Sequence, residues 1–247
     1  MTQILGIDFF QGTPEEAVQK LHSGGLVVAP SGPNLAEMDK MPAYLRAVTS
    51  AELAVLDSGA LVLFWHKLTG THLTRLSGLA LLQSLVTSPE FVEHQNDQFW
   101  VMPTEEAKVR NVEYLKTLGI HIQEDQCYVA PYYERGDIHD ADLLERINEK
   151  QPKYVVINLA GGKQEVLGAW LRSHCQGQPA FICTGAAIGF MTGEQANIPG
   201  WADRYYLGWL MRILRNPSGY LSRYWEARRL WPLVRKYRES TPQLAAG

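Results

Sequence analysis

The chain has 247 residues, of which 46% are hydrophobic and 20% charged, and its formal net charge is −3. This composition is typical of an ordinary soluble globular protein, and the length allows one large domain or two small lobes. No run reaches the roughly 18 apolar residues of a transmembrane helix, and the amino-terminal residues lack a secretory signal pattern. We therefore expect a cytoplasmic protein.

Apolar runs alternate with stretches of helical periodicity along most of the chain. In order, the pattern predicts a strand at 26–30, a helix to about 48, a strand at 53–56, helices at 60–68 and after 78, a strand at 98–102, a helix at 104–118, a strand at 127–130, a helix at 140–150, and strands at 154–159 and 180–184. Such alternation indicates an α/β fold with a Rossmann-like parallel sheet, or sheets, flanked by helices.

The turn after the strand at 154–159 reads Ala-Gly-Gly-Lys-Gln-Glu and opens a helix. Glycines let a ligand approach the backbone, and the amino end of a helix favours an anion. Polar side chains at the carboxyl end of a strand lie where open α/β sheets bind ligands. The candidate binding residues here are Asn158, Gly161, Gly162, Lys163, Gln164 and Glu165. The alternative is a tight connection with exposed polar residues.

Asp57 directly follows the strand at 53–56. A carboxylate at that edge is placed to take a proton from an acceptor hydroxyl, as a general base. The alternative is a helix N-cap, which the position alone favours.

Three further loops carry candidate ligand contacts. Arg75 has the forked guanidinium that suits phosphate, although an exposed loop arginine is the alternative. The small residues around Thr184 admit a ring close to the backbone. The binding candidates in these loops are Ser31, Asn34, Arg75, Ser77, Gly78, Thr184 and Gly185.

The sequence offers no metal site. Cys127, Cys175 and Cys183 are too few and too scattered for a zinc site or a disulfide framework, so we expect reduced thiols. The histidines do not form a metal-binding helix face, and no Walker A, G-x-S-x-G or G-x-G-x-x-G motif is present. We expect no metal and no cofactor.

Residues 205–247 mix aromatic and basic side chains at helical spacing, although the whole chain is slightly acidic. We predict a core at 1–204 and a helical, membrane-associating appendage at 205–247, because such helices can lie on a bilayer. The alternative is that the aromatics only pack these helices onto the sheet. The candidate contacts to the membrane are Arg212, Arg215, Arg223, Arg228 and Arg229, and the family resemblance described below implies that they also contact a diphosphate.

Four segments in order resemble the WecG/TagA/CpsF glycosyltransferase family (glycosyltransferase family 26), over nearly the whole chain. They match its PDG-type turn, its R-V-T-G and G-x-P-K-Q-E segments, and its late P-x-W followed by G-L-E-W-x-x-R. The corresponding residues are 56–59, 75–78, 160–165, 199–201 and 206–212.

The resemblance implies an inverting, metal-independent transferase. It implies a UDP-sugar donor, often of N-acetylmannosamine or its uronic acid, and a polyprenyl-diphosphate-linked acceptor at the inner membrane face. It implies that Asp57 is the general base. It also implies that the basic appendage binds the membrane and helps to close the site over the diphosphate. We expect a peripheral protein of surface polysaccharide synthesis that binds no nucleic acid and is a possible homo-oligomer.

The chain departs from the family pattern where ligands are expected. Ser31 alters the T-P-N loop, and Met102-Pro103 replaces a glycine pair. Gly189, Asn197 and Gly208 stand where the family has charged residues. A catalytically silent binding or scaffolding subunit is therefore one alternative, and a nucleotide-sugar hydrolase or epimerase is another.

Overall fold

A computed structural model describes residues 1–194 and 225–245. These residues form one eight-stranded sheet in the order β1-β2-β4-β3-β8-β7-β5-β6, parallel except for the β1–β2 hairpin. The strands are β1 Thr2–Ile4, β2 Ile7–Phe9, β3 Gly25–Val28, β4 Leu53–Ala54, β5 Gln98–Met102, β6 Cys127–Val129, β7 Tyr154–Ile157 and β8 Ala180–Cys183. The predicted α/β fold is confirmed.

Helices cover both faces of the sheet. They are α1 Pro14–Lys20, α2 Gly32–Ala36, α3 Pro42–Thr49, α4 Gly59–Thr69, α5 Gly78–Thr87, α6 Pro89–Glu93, α7 Glu105–Thr117, α8 Ala141–Lys150, α9 Gln164–His174, α10 Ala187–Met191 and α11 Leu230–Tyr237. Short 3-10 turns occupy Leu21–Ser23, Met38–Lys40, Gln95–Asp97, Glu124–Gln126 and Ala227–Arg229.

The core has two apolar layers, one on each face of the sheet. Helices α2, α3, α4, α8, α9 and α11 supply one layer, and α1, α5, α6, α7 and α10 supply the other. The central strands are buried on both faces, which explains why their sequences are continuous apolar runs. The strands can therefore offer ligands only their ends, where the loops begin.

Polar residues set the starts of several helices. Ser58, Ser77, Thr104 and Asp140 each accept a hydrogen bond from the backbone amide three residues on, as N-caps do. Thr104 thus caps the helix that the sequence predicts at 104–118. Helix α4 is capped by Ser58, so Asp57 is not the N-cap of that helix.

The β1–β2 hairpin is an element that the hydrophobic pattern did not predict. Its strands have three residues each, too short to show alternation clearly. The tip is held by the end of the chain, since the amides of Leu5 and Gly6 donate to the carbonyls of Arg238 and Glu239, at 2.7 and 2.8 Å. The hairpin therefore depends on contacts distant in sequence.

The described end of the predicted appendage packs on the core. Leu230 and Val234 of α11 are fully buried against the layer that contains α2 and α4. Trp231 meets Phe64 of α4 edge to face, with ring centroids 5.3 Å apart. Residues 225–245 thus help to complete the core beside α4, and membrane association of the appendage stays a prediction.

Helix α9 lies close to the sheet at Gly168. A Cβ there would lie 2.9 Å from Leu26 Cδ1, nearer than real Cβ atoms come, and 3.1 Å from Cys183 Sγ, tighter than most Cβ contacts. Because α9 begins at the Gly-Gly-Lys-Gln-Glu turn, this contact sets where the turn lies relative to β3 and β8. Gly168 therefore allows α9 to lie close to β3 and β8.

We predict that Gly168→Ala destabilises the protein by about 1–3 kcal/mol, although alanine is the better helix former, because the added methyl overpacks a full core. Urea unfolding monitored by circular dichroism measures this difference. Ser173→Ala, in the exposed last turn of the same helix, should stay within about 0.5 kcal/mol of the parent. A neutral or stabilising Gly168→Ala would contradict the close approach.

Candidate active site

A cleft of about 350 Å³ opens at the carboxyl edge of the sheet, over the ends of β3, β4, β5, β7 and β8. Open α/β sheets bind ligands at this edge. Of the candidate residues predicted from the sequence, the cleft brings together Ser31, Asn34, Asp57, Arg75, Ser77, Gly78, Asn158, Gly161, Gln164, Glu165, Thr184 and Gly185. Residues far apart in the sequence thus converge on one surface.

Five side chains that line the cleft have a buried polar atom without a hydrogen-bond partner in the described protein. They are the Ser31 and Thr184 hydroxyls, Asn34 Nδ2, Asn111 Oδ1 and Asn158 Oδ1. A buried polar atom left unpaired costs about 1–3 kcal/mol, so native proteins rarely keep several together. Polar groups are thus concentrated in the wall of this cleft.

Asp57 lies at one end of the cleft and contacts the start of α5. Its Oδ1 accepts a hydrogen bond from the Gly78 amide at 3.1 Å, and Arg75 Nη2 is 3.8 Å from the same oxygen. Arg75 Nε donates to the backbone carbonyl of Asp57 at 2.7 Å. The side chain of Asp57 is 27% exposed and that of Arg75 16%. The acid is thus fixed in position and still open to the cleft.

Gln164 ties the loop after β7 to the loop after β8. Its Oε1 accepts a hydrogen bond from the Gly185 amide at 2.9 Å, and its backbone carbonyl accepts one from Cys183 Sγ at 3.3 Å. The side chain is 1% exposed. Gln164 therefore holds two walls of the cleft together.

Glu165 occupies the amino end of α9. Its Oε2 accepts the Gly162 amide at 2.7 Å and its Oε1 accepts Gln164 Nε2 at 3.2 Å. Burial raises the pKa of Glu165 to about 7, against the lowering effect of its backbone hydrogen bonds. The amino end of α9 is thus already in contact with a carboxyl group of the protein itself.

The two glycines of the turn serve different purposes. Gly162 has φ of +91°, which favours glycine. Gly161 has no positive φ, but a Cβ there would lie 2.4 Å from Asn34 Nδ2. Gly161 thus makes room for the Asn34 side chain at the cleft.

Two predicted binding residues lie away from the cleft. Lys163 places its Nζ 4.0 Å from the ring centroid of Tyr132, a cation–π contact. Gly162 lines a second cavity of about 280 Å³ beside Met41 and Tyr44. Their assignment to substrate binding stays a prediction.

Asn111 is a cleft residue that the sequence reasoning missed. It lies on α7 and is 1% exposed. Its spacing could have indicated that it is buried. The buried face of that helix carries residues at four-residue intervals, Ala107, Asn111 and Leu115. An asparagine on an otherwise apolar face indicates a polar partner.

The arginines predicted to contact membrane or diphosphate are only partly described. Arg228 is exposed and stacks over Trp225 at 4.0 Å, whereas Arg229 pairs with Asp39 at 3.4 Å. Arg212, Arg215 and Arg223 lie outside the described residues, as do Asn197 and Gly208. Gly189 lines the cleft on α10.

Within residues 1–194 and 225–245, no group of three or more acidic, histidine or cysteine side chains could hold a metal ion. The three cysteines are unpaired, and burial raises the pKa of the Cys127 thiol to about 11. No helix in the same part of the chain has the length and apolarity to cross a bilayer.

A parallel sheet with a polar cleft over its carboxyl ends, an open carboxylate and a neighbouring guanidinium places this chain among the α/β proteins that bind ligands at this edge of the sheet. The family model described as "Glycosyl transferase WecG/TagA/CpsF family" matches residues 2–243. The chain therefore belongs to this glycosyltransferase family, and family membership implies glycosyltransferase activity. Comparison with curated proteins finds no match.

The raised pKa of Glu165 predicts a specific dependence of stability on pH. The folded protein holds one proton more than the unfolded chain between the usual value of 4.5 and about 7. The contribution of Glu165 to the free energy of unfolding therefore falls as pH rises through this window, by about 3 kcal/mol at most.

Glu165→Gln removes the titration while the amide oxygen can still accept the Gly162 amide. Denaturant unfolding from pH 4.5 to 7.5 should show the parent losing stability relative to this variant as pH rises. Glu113→Gln is an exposed change on α7, and its free energy of unfolding should change with pH as that of the parent does. Parallel curves for Glu165→Gln would show that the carboxyl does not titrate in this range.

Proposed function

We propose that the protein is an inverting glycosyltransferase that moves a sugar from a nucleotide-diphosphate sugar to a polyprenyl-diphosphate-linked saccharide. The sugar is of the N-acetylmannosamine type or a related hexose or uronic acid, and the setting is bacterial surface polysaccharide synthesis. Family membership supports the reaction class. The observation that carries the proposal is the open carboxylate of Asp57 at one end of a cleft lined by unpartnered polar atoms.

Asp57 acts as the general base in this proposal. Its carboxylate takes the proton of the acceptor hydroxyl as that oxygen bonds to the anomeric carbon of the donor sugar. The bond from this carbon to the diphosphate oxygen breaks, and the nucleoside diphosphate leaves with the electron pair. Attack opposite the leaving group inverts the anomeric centre. The hydrogen bond from the Gly78 amide to Oδ1 fixes the acid for this step.

Arg75 supplies positive charge beside the reacting centre. Its bond to the Asp57 carbonyl orients the guanidinium, and its position favours a diphosphate that gains negative charge as it leaves. Asn34 lines the cleft beside Gly161 and is a further candidate contact to phosphate oxygen. As the family resemblance implies, the proposed reaction uses no metal ion.

The exposed side chains of the appendage support placement of the protein at the inner face of the cytoplasmic membrane. Trp225 is 64% exposed, and Arg228, Arg235, Lys236 and Arg238 are exposed as well. Aromatic and basic side chains suit the interface and the anionic headgroups of a bilayer. A peripheral position there would bring the cleft to a lipid-linked acceptor.

A binding or scaffolding subunit of glycan assembly is the second candidate. Gly189 lines the cleft where the resemblance expects a carboxylate, so one charged contact to a ligand is missing. Calorimetric titration with nucleotide sugars separates the two candidates. Tight donor binding without turnover on any polyprenyl-diphosphate acceptor would favour this second role.

We predict that Asp57→Asn lowers the transfer rate by about 10²–10⁴-fold, because asparagine can still accept the Gly78 amide but cannot take the proton. The measurement is transfer from a panel of UDP- and GDP-sugars to a polyprenyl-diphosphate acceptor. The matched control is Ser58→Ala at the adjacent position.

Ser58→Ala removes the cap of α4, so it should cost about 1 kcal/mol of stability and leave turnover near that of the parent. Undiminished transfer by Asp57→Asn would remove Asp57 as the base. Equal loss of activity in both variants would indicate that this loop is needed only for structure.

A further inference from the structure

The turn at Gly161 and Gly162 separates the cleft from the second cavity of about 280 Å³, because Gly161 lines the cleft and Gly162 lines the second cavity. One wall of the second cavity is mostly apolar and consists of Met41, Pro42, Ala43, Tyr44 and Val166. Tyr44 and Val166 are buried and belong to the core layer that contains α3 and α9. Such a wall suits a hydrocarbon group rather than a sugar.

Charged side chains form part of the rim of the second cavity. Lys40 and Arg135 are exposed there, and Glu37 is the acid that lines the cavity within the described residues. Glu37 Oε2 lies 4.0 Å from Arg135 Nη1, and the Arg135 side chain is 78% exposed. An exposed ion pair at this distance contributes little, so Arg135 can turn toward another anion at small cost. The cavity therefore combines an apolar wall with a cationic rim.

Helix α2 connects the second cavity to the loop that carries Asp57. A Cβ on Gly32, the first residue of α2, would lie 2.9 Å from Ser58 Oγ, so the helix begins beside the residue that follows Asp57. Glu37, which caps the other end of α2, lines the second cavity. A helix rises 1.5 Å per residue, so the two ends are only about 8 Å apart. A saccharide joined to a diphosphate can span that length.

The described end of the chain reaches the same cavity. Arg229 Nη2 lies 3.4 Å from Asp39 Oδ2, and the amide of Ala245 donates to the Asp39 carbonyl at 2.8 Å. Asp39 directly precedes Lys40 of the rim. The appendage that is proposed to lie on the bilayer therefore borders this cavity, which is where the lipid end of a membrane-bound ligand would arrive.

We propose that the second cavity binds the lipid end of the polyprenyl-diphosphate-linked acceptor. The first isoprene units lie against Tyr44 and Val166, the diphosphate lies between Lys40 and Arg135, and the saccharide extends along α2 toward Asp57. Two cations at the rim suit a diphosphate, because they share its negative charge. This inference rests on the proposed function, from which it takes the class of acceptor, and it gives the acceptor a site separate from the donor cleft.

The test is calorimetric titration of farnesyl diphosphate, inorganic pyrophosphate and UDP into the parent, Lys40→Gln, Arg135→Gln and Ala43→Trp. The parent should bind farnesyl diphosphate at least about 10-fold more tightly than pyrophosphate, because the prenyl chain adds apolar burial. Lys40→Gln and Arg135→Gln should each lose about 3- to 10-fold in farnesyl diphosphate affinity. Ala43→Trp should lose at least about 10-fold, because the indole occupies the space of the chain.

All three variants should bind UDP as the parent does, which also shows that they are folded. The control Lys116→Gln removes the same charge from an exposed position in the last turn of α7, and its affinity for farnesyl diphosphate should equal that of the parent. In the transfer reaction, Lys40→Gln should raise the KM for the lipid-linked acceptor and leave the KM for the donor unchanged. A merely structural role of Lys40 would not separate the two constants.

Displacement of farnesyl diphosphate by UDP would place both ligands in one site and overturn the proposal. It would also fall if the cavity variants bind farnesyl diphosphate as the parent does. Equally tight binding of dioctanoyl phosphatidic acid would assign the cavity to a bilayer phospholipid instead. UDP binding without farnesyl diphosphate binding would defeat this inference alone. Farnesyl diphosphate binding that depends on Lys40 and Arg135, in a protein that binds no nucleotide and transfers no sugar, would defeat the proposed function but support the cavity as a prenyl diphosphate site.

Discussion

The buried carboxyl of Glu165 is the contact on which the site depends. It accepts the Gly162 amide at the start of α9 and Nε2 of Gln164, whose oxygen in turn accepts the Gly185 amide. The chain of hydrogen bonds joins the loops that follow the paired strands β7 and β8. Because Gln164 and Glu165 are buried, leaving their polar groups unpaired would be costly, and the two loops are fixed together.

The polar residues of the turn after β7 differ in where their side chains lie. Gln164 and Glu165 hold the walls of the cleft, whereas Lys163 lies over Tyr132 outside it. Asn34 and Asn158 also line the cleft, and each has a buried polar atom without a partner. Neighbouring polar residues of this edge thus differ in whether their hydrogen bonds are made within the protein.

Most of the sheet could be predicted from the sequence, because buried parallel strands such as β5 and β7 are short continuous apolar runs. The loops that follow them were therefore found as well, and with them the candidate residues of the cleft. The β1–β2 hairpin escaped prediction, since its strands are short and are held by carbonyls near Arg238. Asn111 could not be predicted from loop position, because it lies within helix α7.

The contacts made by the residues in the loops after β4 and β7 could not be predicted from the sequence either. Asp57 looks like a helix cap by position, yet Ser58 caps α4 and Asp57 meets the start of α5, a contact across 21 residues. Likewise, Glu165 looks like an exposed polar residue until its burial is known. Local pattern identifies which residues are at the sheet edge, but only packing decides which of them point into the cleft.

The most direct test of the account is a crystal structure with a nucleoside diphosphate bound. We predict difference density over the carboxyl ends of β3, β8 and β7, with the diphosphate between Asp57 and Gly161 and within hydrogen-bond distance of Asn34 Nδ2. A nucleotide that bound instead in the second cavity beside Tyr44, with the cleft still free, would contradict the central claim that this cleft is the donor site.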